Sequence, residues 1–250
     1  MKLGFSDQTH YGRRAKLGLI VPNTNTVNEA EWHQHVPEGV TVHSARMPLH
    51  AETDTATGRQ ALFMQVEAAT ASLASAGLSA IAYGCTAGSM LHPVSALPHR
   101  MSAVSKGPCV TTAGAIVDAL HALTRRKLAI ATPYHDALND HEVHFLETEG
   151  FSVMRILGLG IGGGGPHEYP RIARTPQDAI LRHVMAADHP QAEAMLVSCT
   201  DFPVLPLIPT LESALGKPVI TSNQATLWAT LRAAQVMDRL PRLGALFELA

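Results

Sequence analysis

The chain of 250 residues is sparing with the residues that usually announce a specialised role. Only 5% of it is aromatic, it has three cysteines, and its formal charge is −2. Near-neutral charge without a basic patch argues against a dedicated nucleic-acid surface. The basic run Thr124-Arg125-Arg126-Lys127 is short and reads as a helix end before a strand, where cations favour the helix dipole. Long apolar runs are also missing. Ala68 to Leu91 carries no formal charge, but glycines, serines and threonines interrupt it, and a spanning helix needs about 20 predominantly apolar residues. No signal peptide is expected, because Met1 to Lys16 is polar. An odd number of cysteines argues against a disulfide framework, so a reducing cytoplasm is the expected compartment.

Fourteen histidines raise the question of metal. His141-Glu142-Val143-His144 lacks the i, i+4 spacing of the zinc-protease helix, and His33 and His35 diverge on a helix. No bound metal is expected. Gly162-Gly163-Gly164-Gly165 runs into Pro166, so it is not a dinucleotide fingerprint. It reads as a mobile loop over a cleft.

What the chain does contain is an internal repeat. Leu17-Gly18-Leu19-Ile20-Val21-Pro22 recurs as Leu128-Ala129-Ile130-Ala131-Thr132-Pro133, an offset of 111 positions. Glu38-Gly39-Val40-Thr41-Val42 recurs as Glu149-Gly150-Phe151-Ser152-Val153 at the same offset. Lys106-Gly107-Pro108 answers Gly216-Lys217-Pro218. Several matches in one order at one offset imply two copies of one fold unit.

Each copy alternates short Val/Ile/Leu/Ala runs with helix-capable stretches; in the second copy the first two runs are Leu128–Thr132 and Phe151–Leu157 and the last helix is expected over Ala225–Arg239. That pattern implies parallel strands buried on both faces. The expected architecture is therefore α/β, with two pseudo-symmetric doubly wound parallel-sheet halves and the active site in the cleft between them. Residues 1–16 form an N-terminal extension, 17–125 the first half and 126–250 the second, with a C-terminal return of the chain to the first half allowed.

Cys85 ends Ala80-Ile81-Ala82-Tyr83-Gly84, and Cys199 ends Ala194-Met195-Leu196-Val197-Ser198; each is followed by threonine. A free thiol, with a pKa near 8.5, is only about 3% thiolate at neutral pH. A helix starting right after each cysteine would raise that fraction and offer backbone N–H groups to a carboxylate. Cys85-Thr86-Ala87 and Cys199-Thr200-Asp201 both read as such strand-to-helix turns. Cys109 lies inside a strand-like run and reads as core. Asn25, after the first strand, can cap a helix or bind substrate oxygens. Tyr134, at the matching place in the second half, can donate to a carboxylate or enolate oxygen.

Three stretches, Gly18 to Thr26, Ala82 to Ser89 and Ala131 to Tyr134, together resemble the aspartate/glutamate racemase superfamily. Within it they are most similar to maleate cis–trans isomerases. The resemblance runs from Lys16 over nearly the whole chain. It implies a cofactor-independent isomerase of a small unsaturated dicarboxylate, with Cys85 as nucleophile and Cys199 as acid/base. It also implies that Asn25 and Tyr134 hold substrate carboxylates and that the protein is a homodimer or tetramer. Ser198 to Pro203 looks more like the matching racemase motif. The isomerases' asparagine after the second strand of the second half has no clear counterpart in Gly160–Gly165 or Pro166-His167-Glu168-Tyr169. Alternatives are a two-cysteine racemase of an amino acid or hydantoin, a related decarboxylase, and a non-catalytic carboxylate-binding protein. Arylmalonate decarboxylases share the architecture but carry glycine at the Cys85 position, so Cys85 weighs against them.

Overall fold

The computed structural model describes residues 9–50, 53 and 55–249. Residues 1–8 of the expected N-terminal extension lie outside the described residues. The first half contains β1 (Ala15–Pro22), α1 (Asn28–His35), β2 (Val40–Met47), α2 (Ala56–Ala74), β3 (Ala80–Tyr83), α3 (Thr86–Ser89), α4 (Ala96–Ser105), β4 (Cys109–Thr111) and α5 (Thr112–Ala122). The second contains β5 (Lys127–Tyr134), α6 (Asp136–Thr148), β6 (Ser152–Ile161), α7 (Gln177–Ala187), β7 (Ala194–Val197), α8 (Ile208–Leu215), β8 (Val219–Thr221) and α9 (Ser222–Ala233). A 3-10 segment spans Pro166–Arg174. No helix among the described residues is long and apolar enough to cross a membrane.

The strands form two four-stranded sheets of order β2-β1-β3-β4 and β6-β5-β7-β8. Every pairing is parallel. This is the doubly wound arrangement expected from the repeat. The central strands are buried along nearly their whole length, as parallel strands covered on both faces must be. Each fully buried Leu, Ile or Val on them contributes about 2 kcal/mol.

The helices reveal how the halves are joined. Thr111 and Thr221 occupy matching N-cap positions and accept from Gly114 N and Gln224 N. Gln224 closes a reciprocal capping box, so α9 starts at Ser222 rather than near Ala225 as expected. Helix α5 packs in one cluster with Leu128, Ile130, Leu196 and Ile220 of the second sheet. Helix α9 packs in turn on β3 and β4 of the first sheet. The two halves thus exchange their last helices. Trp32 of α1 is fully buried, and its indole N–H donates to Asn223 O at 3.1 Å.

Two strands run further than the sequence suggests. β5 continues through Pro133 to Tyr134, with a register break between Thr132 and Tyr134 where proline offers no N–H. β6 continues to Ile161. The Gly-rich loop that follows is not free. The Glu168 carboxylate accepts from Gly162 N at 2.8 Å and Gly164 N at 3.1 Å, so the loop is pinned to the 3-10 segment.

Candidate active site

In a doubly wound sheet the ligand site lies beyond the carboxyl ends of the strands where the winding reverses. Here those points are the ends of β1 and β3 in one sheet and of β5 and β7 in the other. All four open on a single cavity of about 460 Å³. Asn25, Cys85, Thr86, Ala87, Tyr134, Cys199, Thr200 and Asp201 all line it. The structure thus brings every site residue expected from sequence to one place, from both halves.

The hydroxyls of the two threonines are used between the halves. Thr86 Oγ1 donates to Ser222 Oγ at 2.8 Å, and Thr200 Oγ1 donates to Gly84 O at 3.2 Å. Asn25 is also committed. Its Oδ1 accepts from Val27 N and Asn28 N, and its Nδ2 donates to Thr200 Oγ1 at 3.1 Å. The amide nitrogen carries a second hydrogen, which leaves one donor for a ligand.

Each cysteine has a tyrosine hydroxyl as partner. Cys85 is hydrogen-bonded to Tyr83 and to Gly88 N–H. Cys199 is hydrogen-bonded to Tyr134, and Asp201 N donates to its sulfur at 3.4 Å. Gly88 is required by this packing, since a Cβ there would lie 2.5 Å from the Tyr83 oxygen and 3.1 Å from the Cys85 sulfur. Cys109 instead contacts Ser105 at 3.3 Å, packed against the first-half core and away from the cavity lining.

The thiols are not activated in the way the sequence suggests. After Cys85 the helix is the single turn α3; after Cys199 there is a turn and no helix. Pro203 explains the second case, because the residue before a proline avoids the α region. Burial dominates both thiols and pushes them up, Cys199 to about 12. The negative field of Asp201 adds to the shift at Cys199. Both are therefore neutral at pH 7. Tyr134 is held well above its usual value, by burial first and then by the neighbouring Cys199 and Glu142, so it is a phenol donor throughout the physiological range.

Cys199 has φ +100°, in the left-handed region, which costs a residue with a side chain about 1–3 kcal/mol. Backbone bonds hold it there, with Cys199 N donating to Ser222 Oγ at 3.0 Å and Ser198 N to Ala131 O at 3.0 Å. Tyr134 is held from behind. Asn139 accepts from Thr132 Oγ1 at 2.6 Å, and a Cβ at Gly158 would strike both Tyr134 O and the Asn139 amide. Behind Cys199, Ser198 donates to the buried carboxyl of Glu142, which burial pushes up to about 7.

Sequence reasoning missed the rest of the wall. Leu49, His50 and Thr53 come from the loop after β2, His135, Leu138 and His141 from the start of α6, and Tyr169 and Ile172 from the 3-10 segment. His141 was weighed only as a metal ligand; its ring Nε2 lies 3.2 Å from Met90 O. Among the described residues no group of three or more His, Cys, Asp or Glu is placed to hold a metal ion.

Comparison with known proteins agrees with this geometry. Maleate isomerase of Nocardia farcinica is 28% identical over 246 residues, covering 93% of this chain and 95% of that protein. A cysteine-to-serine variant of a Nocardia farcinica maleate cis–trans isomerase, solved with a covalently bound succinylcysteine intermediate, superposes with a TM-score of 0.80 at 26% identity, covering 93% and 98% of the two chains. Maleate isomerase of Pseudomonas putida S16, solved with maleate as a cysteine-to-alanine variant, gives a TM-score of 0.85 at 25% identity over 94% and 98%. Arylmalonate decarboxylase of Bordetella bronchiseptica is 34% identical over 143 residues, covering 56% and 58%. The arylmalonate decarboxylase family model matches residues 17–247, and the chain belongs to that family.

Proposed function

We propose that the protein is a cofactor-independent cis–trans isomerase of a small unsaturated carboxylic acid of the maleate type. The observation that carries this reading is the pair of thiols on one cavity, one from each half, each with its own phenol donor. The maleate isomerases named above, each matched over nearly its full length, support it.

The electrostatics distinguish the two thiols. Both sulfurs have a phenol and a backbone N–H as donors, Tyr83 and Gly88 at Cys85, Tyr134 and Asp201 at Cys199, so the donors do not separate them and the surrounding charge does. Cys199 feels the negative field of Asp201 and of Cys85, which keeps its proton on. Cys85 is thus the nucleophile and Cys199 the acid. The Cys85 thiol releases its proton to water, to be regained when the sulfur leaves, and the thiolate bonds to one alkene carbon. The π pair moves into the adjacent carboxylate as an enediolate, steadied by Tyr134, the second N–H of Asn25 and backbone N–H groups of residues 86, 87 and 200. The former double bond rotates, the pair returns, and the C–S bond breaks to release the trans acid. Cys199 lends its proton to the intermediate and takes it back. Atoms and electrons balance without a cofactor.

A second reading is decarboxylation of a substituted malonate, with Cys199 protonating the resulting enolate. The apolar side chains Leu49, Leu138 and Ile172 on the wall favour it, because they suit an aryl or alkyl substituent. Proton NMR of the protein with maleate in deuterated buffer separates the readings. A fumarate signal that disappears with Cys85→Ala is expected. Carbon dioxide release from a phenylmalonate without alkene isomerisation would overturn the isomerase, and deuterium entry at the α-carbon of an amino acid would point to a racemase.

A further inference from the structure

The cavity presents an acid and no permanent cation. Asp201 lines it, and no lysine or arginine does among the described residues. The carboxylate is held rigidly. Asp201 Oδ1 accepts from Thr26 N at 2.7 Å, and the Val27 N–H, bonded to Asn25 Oδ1, adds its dipole beside it. Its own N–H reaches the Cys199 sulfur at 3.4 Å. The carboxylate's charge also acts on the Cys199 thiol, and both residues line the cavity, so a ligand group beside Cys199 feels Asp201 as well. The nearest cation, Arg46, acts on Asp201 only at a distance. It is paired with Glu29 and donates to the backbone oxygens of Asn23 (3.2 Å) and Asn25. Glu31 and Cys199 are the other ionisable groups coupled to Asp201, and both couplings are between like charges.

A cis-dioic acid brings two negative charges. Tyr134 and backbone N–H groups suit the one that becomes the enediolate. The other, placed beside Asp201, faces a fixed like charge inside a protein-lined cavity, where such repulsion is stronger than in bulk water. An amide NH2 at the same position donates to that carboxylate instead. From this geometry we infer that Asp201 selects against a second carboxylate, and that the preferred substrate is the half-amide of a cis-enedioic acid. This rests on the isomerase reading for its chemistry, but the recognition is separable from it.

The test measures binding and turnover side by side on the full chain at about pH 8. Calorimetry uses saturated analogues, succinamate and succinate, which bind without reacting. The wild type is expected to bind succinamate at least about tenfold more tightly. Asp201→Asn keeps an oxygen for Thr26 N and turns an NH2 toward the cavity, so the preference should shrink or reverse. NMR then follows maleamate and maleate with the same two proteins, and kcat/KM should show the same ordering. Equal or tighter binding of succinate by the wild type, no binding of succinamate, or an unchanged preference in Asp201→Asn would each overturn the proposal. The wild-type comparison stands even if the variant fails to fold. A clear succinamate preference without alkene isomerisation would support Asp201 as the selector while removing the isomerase reading.

Discussion

The Thr86 hydroxyl donates to Ser222 Oγ at 2.8 Å, and the same oxygen accepts from Cys199 N at 3.0 Å. One serine at the start of α9 thus ties the turn after Cys85 to the backbone of Cys199. Ser222→Ala leaves two buried donors without an acceptor, at a cost of about 2 kcal/mol. We expect a lower melting temperature and a larger fall in kcat than rise in KM. A double-mutant cycle with Thr86→Val should show coupling; strict additivity would contradict the bridge.

The raised thiols set an alkylation pattern. Iodoacetamide should react slowly with Cys85 and Cys199 near pH 7, faster as the pH rises, and with Cys85 before Cys199, because Asp201 opposes the Cys199 thiolate. Peptide mapping over a pH series reads this directly. Fast alkylation of Cys199 at neutral pH would contradict the assignment of acid and nucleophile.

The left-handed backbone at Cys199 can be tested by stability alone. Glycine adopts that conformation without a Cβ penalty. Cys199→Gly should be more stable than Cys199→Ala by about 1 kcal/mol in urea unfolding, against the usual order of the two residues. A more stable alanine variant would mean the strain is not there.

Glu142 gives the protein a pH-dependent stability. Its folded value is about 7 against 4.5 for an ordinary glutamate, so the native state holds that proton more tightly. This stabilisation is complete below about pH 4.5 and is lost as the pH rises through about 7, up to about 3 kcal/mol in all. Glu142→Gln is neutral throughout. Its melting temperature should fall less between about pH 5 and 8 than that of the wild type. Parallel curves would contradict the shift.

Much of this was legible in sequence because the repeat is. The matching runs at Leu17 and Leu128 locate β1 and β5, and the two cysteines fall where β3 and β7 end. The eight site residues follow from strand ends in a doubly wound sheet. Two errors had readable signals. Pro203 argues against a helix after Cys199, and Thr221-Ser-Asn-Gln224 is a capping box that starts α9. Other features leave no local trace. Tyr83 sits in an apolar strand run and looks like core until Gly88 is seen to leave room for its hydroxyl beside Cys85. His50 and Tyr169 reach the cavity through loops whose path depends on long-range packing, such as the grip of Glu168 on the glycine turn. The exchange of α5 and α9 between sheets is a tertiary choice that neither helix pattern encodes.

The central claim is covalent addition by Cys85. Its most direct test is acid-quench mass spectrometry of Cys199→Ser mixed with maleate or maleamate, where loss of the group that takes the proton back should slow release of the adduct. A mass increase of one substrate on the peptide carrying Cys85, absent in Cys85→Ala, is the predicted result. Turnover that persists in Cys85→Ala, or an adduct found only on another residue, would contradict it.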